Sequence, residues 1–219
     1  SAELTVDTLP PAVTVDTLIT NDATPALSGT VDDPSATVAV SVAGSSYTAT
    51  NLGNGVWILP RGTLTDALDD GVYEIRARAA DVAGNVAVDA TTGELTVDTA
   101  PPVVTIHSLS TSDATPALTG TVDDVLATVT VRLAGQTYTA ANLGDGSWIL
   151  PDGAIAAALP AGLHDVSVTA ADPAGNAGAD GSEEELPIGP APYRNLRNPF
   201  DVDGDGRVSP QDALRLINE

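Results

Sequence analysis

Cysteine is absent from the chain, and so is lysine: all eight basic side chains are arginine. Without cysteine there is no disulfide framework, no thiolate zinc site and no thiol nucleophile. The fold must be held by packing, with metal as the remaining reinforcement. Without lysine there is neither Schiff-base chemistry nor a Lys–Asn isopeptide cross-link. No run of about 18 apolar residues occurs, so no segment reads as a membrane-spanning helix. Aromatic residues number only seven in 219. Positive charge is scarce too, with eight basic against 30 acidic residues and a net charge of −22. That balance excludes nucleic acid and anionic membrane as partners, since both require a cationic surface. It suits a secreted or cell-surface protein and supplies carboxylates for hard cations, although acidic surfaces also serve solubility alone.

What is present is a repeat. Leu4-Thr5-Val6-Asp7-Thr8-Leu9-Pro10-Pro11 returns as Leu95-Thr96-Val97-Asp98-Thr99-Ala100-Pro101-Pro102, an offset of 91 residues. Everything from Leu4 to about Leu186 is one unit written twice. Each copy is long enough for its own core. Short runs of Val, Thr, Ala and Tyr alternate with turn clusters, the pattern of an all-β sandwich. In the first copy the expected strands are A (12–18), B (26–31), C (37–42), D (46–51), E (56–59), F (72–80) and G (86–97). Gly44-Ser45 is expected to close the C–D hairpin. Seven strands at this spacing fit an immunoglobulin-like (Ig-like) fold. The fold class is therefore all-β: two tandem seven-stranded Ig-like sandwiches plus a short C-terminal calcium loop-helix. The expected domains are 1–98, 99–189 and a linker with calcium segment at 190–219.

Trp57 and Trp148 match across the repeat, as do Tyr47 and Tyr138, and each Trp reads as a core anchor. His107 and His164 replace Asp16 and Tyr73 and read as ordinary strand residues. No G-x-S-x-G, H-E-x-x-H or phosphate loop appears, so the chain reads as non-enzymatic.

The ordered motifs Val-Asp-Thr…Pro, Asp-Ala-Thr-Pro-Ala-Leu-(Ser/Thr)-Gly-Thr-Val, Asn-Leu-Gly-x-Gly-x-Trp and Ala-Asp-x-Ala-Gly-Asn occur in both copies. Together they resemble the bacterial Ig-like repeats of large adhesins and other secreted multidomain proteins. The resemblance implies extender modules in a stalk, some with calcium between domains. In an Ig-like sandwich the B–C and F–G loops share the N-terminal pole. Asp98, Asp123, Asp124 and Asp172 are thereby candidates for an interdomain Ca²⁺ site. The alternative for the F–G Asp and Asn is turn stabilisation through side-chain to backbone bonds. Asp7, Asp32, Asp33 and Asp81 form the matching set of the first unit, which implies a preceding repeat or a half-formed site.

At the third expected joint the pattern changes to Leu186-Pro187-Ile188-Gly189-Pro190, and the array stops. A semi-stiff Pro-rich linker leads to Asp201-Val202-Asp203-Gly204-Asp205-Gly206-Arg207-Val208-Ser209-Pro210-Gln211-Asp212. This is a twelve-residue calcium loop. Asp201, Asp203 and Asp205 take positions 1, 3 and 5, and Gly206 permits the sharp turn at position 6. The Arg207 carbonyl takes position 7, Ser209 position 9 and Asp212 position 12. Ser209 also caps an expected helix over 210–217, with Pro210 at its first position. The closing Asp in place of Glu, and the absence of a leading helix, make residues 197–219 resemble one calcium-binding segment of a dockerin. That resemblance implies docking to a cohesin-like partner or packing on a neighbouring domain. The alternative is an accessory C-terminal region of a larger secreted polysaccharide-degrading enzyme, its catalytic domain upstream.

Overall fold

The computed structural model describes residues 6–182 and 185–189. The linker and calcium-loop readings, including the helix expected over 210–217, fall outside those residues. Two compact units are present: Ser1–Ala100 with Pro173–Asn176, and Pro101–Asp172 with Ala177–Glu219. Every regular element among the described residues is a strand.

The first unit holds β1 (Leu18–Thr20), β2 (Leu27–Thr30), β3 (Thr37–Val42), β4 (Ser45–Asn51) and β5 (Val56–Leu59). It continues with β6 (Gly71–Tyr73), β7 (Arg76–Ala80), β8 (Val86–Val88) and β9 (Leu95–Val97). Six of these pair in the order β2-β5-β4-β3-β7-β8, and three as β1-β9-β6. Strand β4 serves two neighbours in turn. Residues from Ser45 pair with β3, then Thr50 and Asn51 pair with β5.

Alternation along the strands fixes which side chains meet inside. In β3, Val38, Val40 and Val42 are buried while Thr37 and Ala39 face out. Strand β7 buries Ala77 and Ala79 between exposed Arg76 and Arg78. Against these pack Leu27, Leu59, Trp57, Ile75 and Leu95. The Trp57 indole donates to the Thr14 carbonyl at 2.9 Å, so its one polar atom is satisfied inside the core. Gly29 lies under that ring, and a Cβ there would overlap both the indole and the Thr14 carbonyl oxygen.

The second unit repeats the plan with β10 (Val104–Ile106), β11 (Leu118–Val122), β12 (Thr128–Leu133), β13 (Gln136–Asn142) and β14 (Ser147–Leu150). It continues with β15 (Gly162–His164), β16 (Val166–Ala171), β17 (Ala177–Asp180) and β18 (Leu186–Ile188). Its core centres on Trp148, whose indole donates to the Thr105 carbonyl at 2.8 Å.

Three expectations are corrected. Strands F and G are not continuous: F breaks between Tyr73 and Arg76, and G between Val88 and Leu95. Strand A stays bonded to strand B through the Thr14 and Asp16 N–H groups, which donate to the Thr30 and Ser28 carbonyls, and then re-pairs, as β1, parallel to β9. Nine short strands thus stand where seven were expected. The C–D turn is centred on Ala43-Gly44 rather than Gly44-Ser45, with φ of 49° and 81°. Positive φ at both central residues is what a two-residue hairpin matched to strand twist requires. Ala134-Gly135 repeats it with φ of 49° and 77°.

Candidate functional site

The acidic loops are best read one carboxylate at a time. In the B–C turn of the first unit, Asp32 accepts from the Ala12 N–H at 2.7 Å. Asp33 accepts from the Ser35 N–H and hydroxyl, both at 2.7 Å. The second unit copies this: Asp123 accepts from the Val103 N–H and Asp124 from the Leu126 N–H, each at 2.7 Å. Asn51 and Asn142 lock these turns to the D–E loop. Each donates through Nδ2 to two B–C carbonyls, those of Asp33 and Ala36 or of Asp124 and Ala127.

In the F–G loop, Asp81 accepts from the Asn85 N–H at 2.8 Å and from its Nδ2 at 2.7 Å. Asn85 Nδ2 also donates to the Asp7 carbonyl at 3.1 Å, tying the lead-in segment to this loop. Asp98 accepts from the Ala100 N–H two residues on, at 3.1 Å. Asp172 and Asn176 are buried, and neither is without a partner. Asp98, Asp123 and Asp124 therefore each commit an oxygen to a nearby backbone N–H. For Asp98 and Asp124, which reach the N–H two residues on, this is the turn-stabilising chemistry open to Asp at such positions. Among the described residues no group of three or more His, Asp or Glu is arranged to hold a metal ion. The tail set of Asp201, Asp203, Asp205, Arg207, Ser209 and Asp212 lies outside the described residues.

At two aspartates, Asp81 and Asp180, such bonds lower the carboxyl pKa. The Asn85 amide holds Asp81 below the usual carboxylate range, although partial burial opposes it. The Ser182 N–H does the same for Asp180, with burial again opposing and the Ser182 hydroxyl and Ile106 N–H assisting. The Ile106 N–H reaches Asp180 at 2.7 Å and comes from β10, so this carboxylate pins strand A against strand G in the second unit. A group with a depressed folded pKa contributes stability that is present above its unfolded value and lost as pH falls through the folded one. Asp180→Ala is therefore expected to melt below the parent at pH 7. The gap should narrow once pH drops below about 4, near the ordinary Asp pKa. Calorimetry of both proteins across pH 7 to 3 checks this, and a gap that widens on acidification would contradict it.

Sequence reading passed over two glutamates. Glu94 is 2% exposed and Glu185 4%, at matched positions of the repeat. Glu94 Oε2 accepts from the Ile75 N–H at 3.0 Å, inside the break of strand F. Glu185 Oε2 accepts from the Val166 N–H at 3.2 Å. In both residues Oε1 is buried with no hydrogen-bond partner. The backbone of the same residues binds strand A, with Leu18 N–H donating to the Glu94 carbonyl and Leu109 N–H to that of Glu185, both at 2.7 Å. One residue per unit thus joins the A, F and G segments. The available signal was recurrence: an acid stands before the same Leu in both copies, although Gly93 and Glu184 beside it differ.

A family model described as a bacterial Ig-like domain matches residues 12–99 and again 107–184. No curated protein matches the chain. Among solved structures, fibronectin(III)-like modules of Clostridium thermocellum CbhA align at 14% identity and a TM-score of 0.49. That alignment covers 81% of this chain and 94% of theirs. A tetra-tandem repeat from the extending region of a large adhesion protein aligns at 28% identity and a TM-score of 0.38, covering 82% and 50%. A 1.5-MDa bacterial ice-binding adhesin aligns at 21% identity and a TM-score of 0.38, covering 83% and 67%.

Proposed function

The chain belongs to the bacterial Ig-like domain family, matched in both repeats, and from that premise we propose that it is a non-enzymatic spacer. It belongs to a secreted or cell-surface bacterial protein and ends in a dockerin-like, calcium-binding docking element. The observation that carries the proposal is duplication without specialisation. The anchoring Trp, the Gly beneath it, the B–C to D–E lock and the buried Glu recur in both units. A unit repeated for its fold alone would be duplicated in this way.

The tail adds the docking end. Asp201, Asp203, Asp205 and Asp212, the Arg207 carbonyl and the Ser209 hydroxyl are all hard oxygen donors. That donor set suits Ca²⁺, which takes six to eight oxygens. Its partner is a cohesin-like protein or a neighbouring domain, with further Ig-like repeats or a catalytic domain upstream. The dockerin-like tail also favours the second reading: the accessory C-terminal region of a larger secreted polysaccharide-degrading enzyme.

Affinity electrophoresis of the full chain in gels containing soluble polysaccharides tests the spacer. Migration is expected to be the same with and without glycan. Retardation by a polysaccharide would assign the sandwiches to carbohydrate binding instead.

A further inference from the structure

A spacer carries load from one chain end to the other, and in each unit the load reaches the A and G segments. In the first unit these are β1 and β9, paired parallel as Leu18↔Leu95, Ile19↔Thr96 and Thr20↔Val97. Pulling β1 from its N-terminal side and β9 from its C-terminal side shears the pair. Every rung is then loaded at once, instead of one after another. The outer rungs are Leu18 N–H to the Glu94 carbonyl at 2.7 Å and Asp98 N–H to the Thr20 carbonyl at 3.0 Å. On its other side β9 is held by β6, and the Glu94 carboxylate ties it to Ile75 in the F break.

The second unit keeps this arrangement with one rung withdrawn. Leu109 N–H donates to the Glu185 carbonyl at 2.7 Å, Thr111 N–H to the Pro187 carbonyl at 3.1 Å, and Gly189 N–H to the Thr111 carbonyl at 2.9 Å. Parallel pairing alternates donors and acceptors along each strand. The missing member of the series is a donor at position 187 facing the Leu109 carbonyl, where the first unit has the N–H of Thr96. Proline has no N–H to give. The three-pair ladder of the first unit is accordingly reduced to the single parallel bridge Thr111↔Ile188.

We propose that the chain is a mechanically graded spacer, in which the A–G clamp of the second unit yields at lower force than that of the first because Pro187 removes a rung. The unit next to the docking tail would then open first and lengthen the spacer while the first unit stays folded. This rests on the spacer function proposed above.

The test is to stretch the full chain between handles at its two termini, under a force ramp and at clamped force. Two unfolding events at separate forces are expected. Pro187→Thr restores the donor, so it should raise the weaker event toward the stronger. At clamped force it should slow that event about fivefold, the effect of roughly one hydrogen bond. Thr96→Pro should lower the stronger event; if it prevents the first unit from folding, Pro187→Thr still decides the matter. Equal forces in the parent, or a Pro187→Thr protein whose weaker event is unmoved, would overturn the grading alone. Extension with no resolved event would overturn the spacer function as well.

Discussion

Trp57→Ala is expected to unfold the first unit at temperatures where the second remains intact. Trp57 is fully buried, and its neighbours are mostly Val, Leu and Ala, which cannot collapse into the space of an indole. Large aromatic truncations in cores cost about 3–5 kcal/mol, against a total stability of about 5–15 kcal/mol for a domain. The Thr14 carbonyl also loses its indole donor. For a domain of this size the loss corresponds to a fall in melting temperature of at least about 12 °C. The experiment has an internal control, because the chain has only two tryptophans and the variant retains Trp148 as the sole indole reporter. Trp148 fluorescence should report a second-unit transition unmoved from the parent's, while calorimetry shows the first unit's transition displaced to lower temperature. A variant that melts like the parent would mean that Trp57 does not anchor the core.

The second large effect is expected in the tail. The Asp201–Asp212 loop should bind one Ca²⁺ with a dissociation constant of roughly 10⁻⁴ M, the tight end of the range of extracellular modules. Mg²⁺ should compete poorly, because it demands near-octahedral geometry and gives up its water reluctantly. Asp201→Ala with Asp212→Ala removes the first and closing carboxylates and should abolish that ion. The melting of the two sandwiches should stay unchanged, since each has its own core among the described residues. Titration calorimetry on parent and double variant checks both halves. A double variant that binds as many ions as the parent would overturn the loop assignment.

Much of the fold could be read from the sequence because alternation and repetition report directly on buried faces. Strands C and E, expected over 37–42 and 56–59, coincide with β3 and β5. The paired tryptophans were legible as anchors because one large aromatic per unit, in a chain poor in them, has little alternative but the core. The breaks in F and G were not legible. At the F break, a carboxylate replaces a backbone acceptor, when Glu94 takes the Ile75 N–H. Such a substitution leaves the hydrophobic pattern of Val72 to Ala80 undisturbed, so the pattern cannot reveal it. Glu94 was obscure for a related reason, as an acid in an acidic chain reads as solvated surface until its burial is seen.

The loop aspartates show a different limit. An Asp that turns its carboxylate onto a backbone N–H two residues on and an Asp that faces a cation are the same letter in the same loop. Asp124 and Asp98 proved to bond the Leu126 and Ala100 N–H groups, a matter of side-chain direction that spacing does not encode. Pro187, by contrast, was visible from the start as the point where the repeat departs from its pattern. Its consequence needed the parallel register of strands A and G, since only that register shows which carbonyl an N–H at position 187 would have faced.

The measurement closest to the central claim, that these are spacer modules repeated for their fold, is the extension trace of the full chain pulled by its ends. Two discrete unfolding events are predicted. Each should release roughly 300 Å of chain, from ~3.5 Å per residue over one 91-residue repeat. Both should return after relaxation, cycle after cycle. A trace that lengthens smoothly at low force, or that shows a single event of double length, would contradict the account.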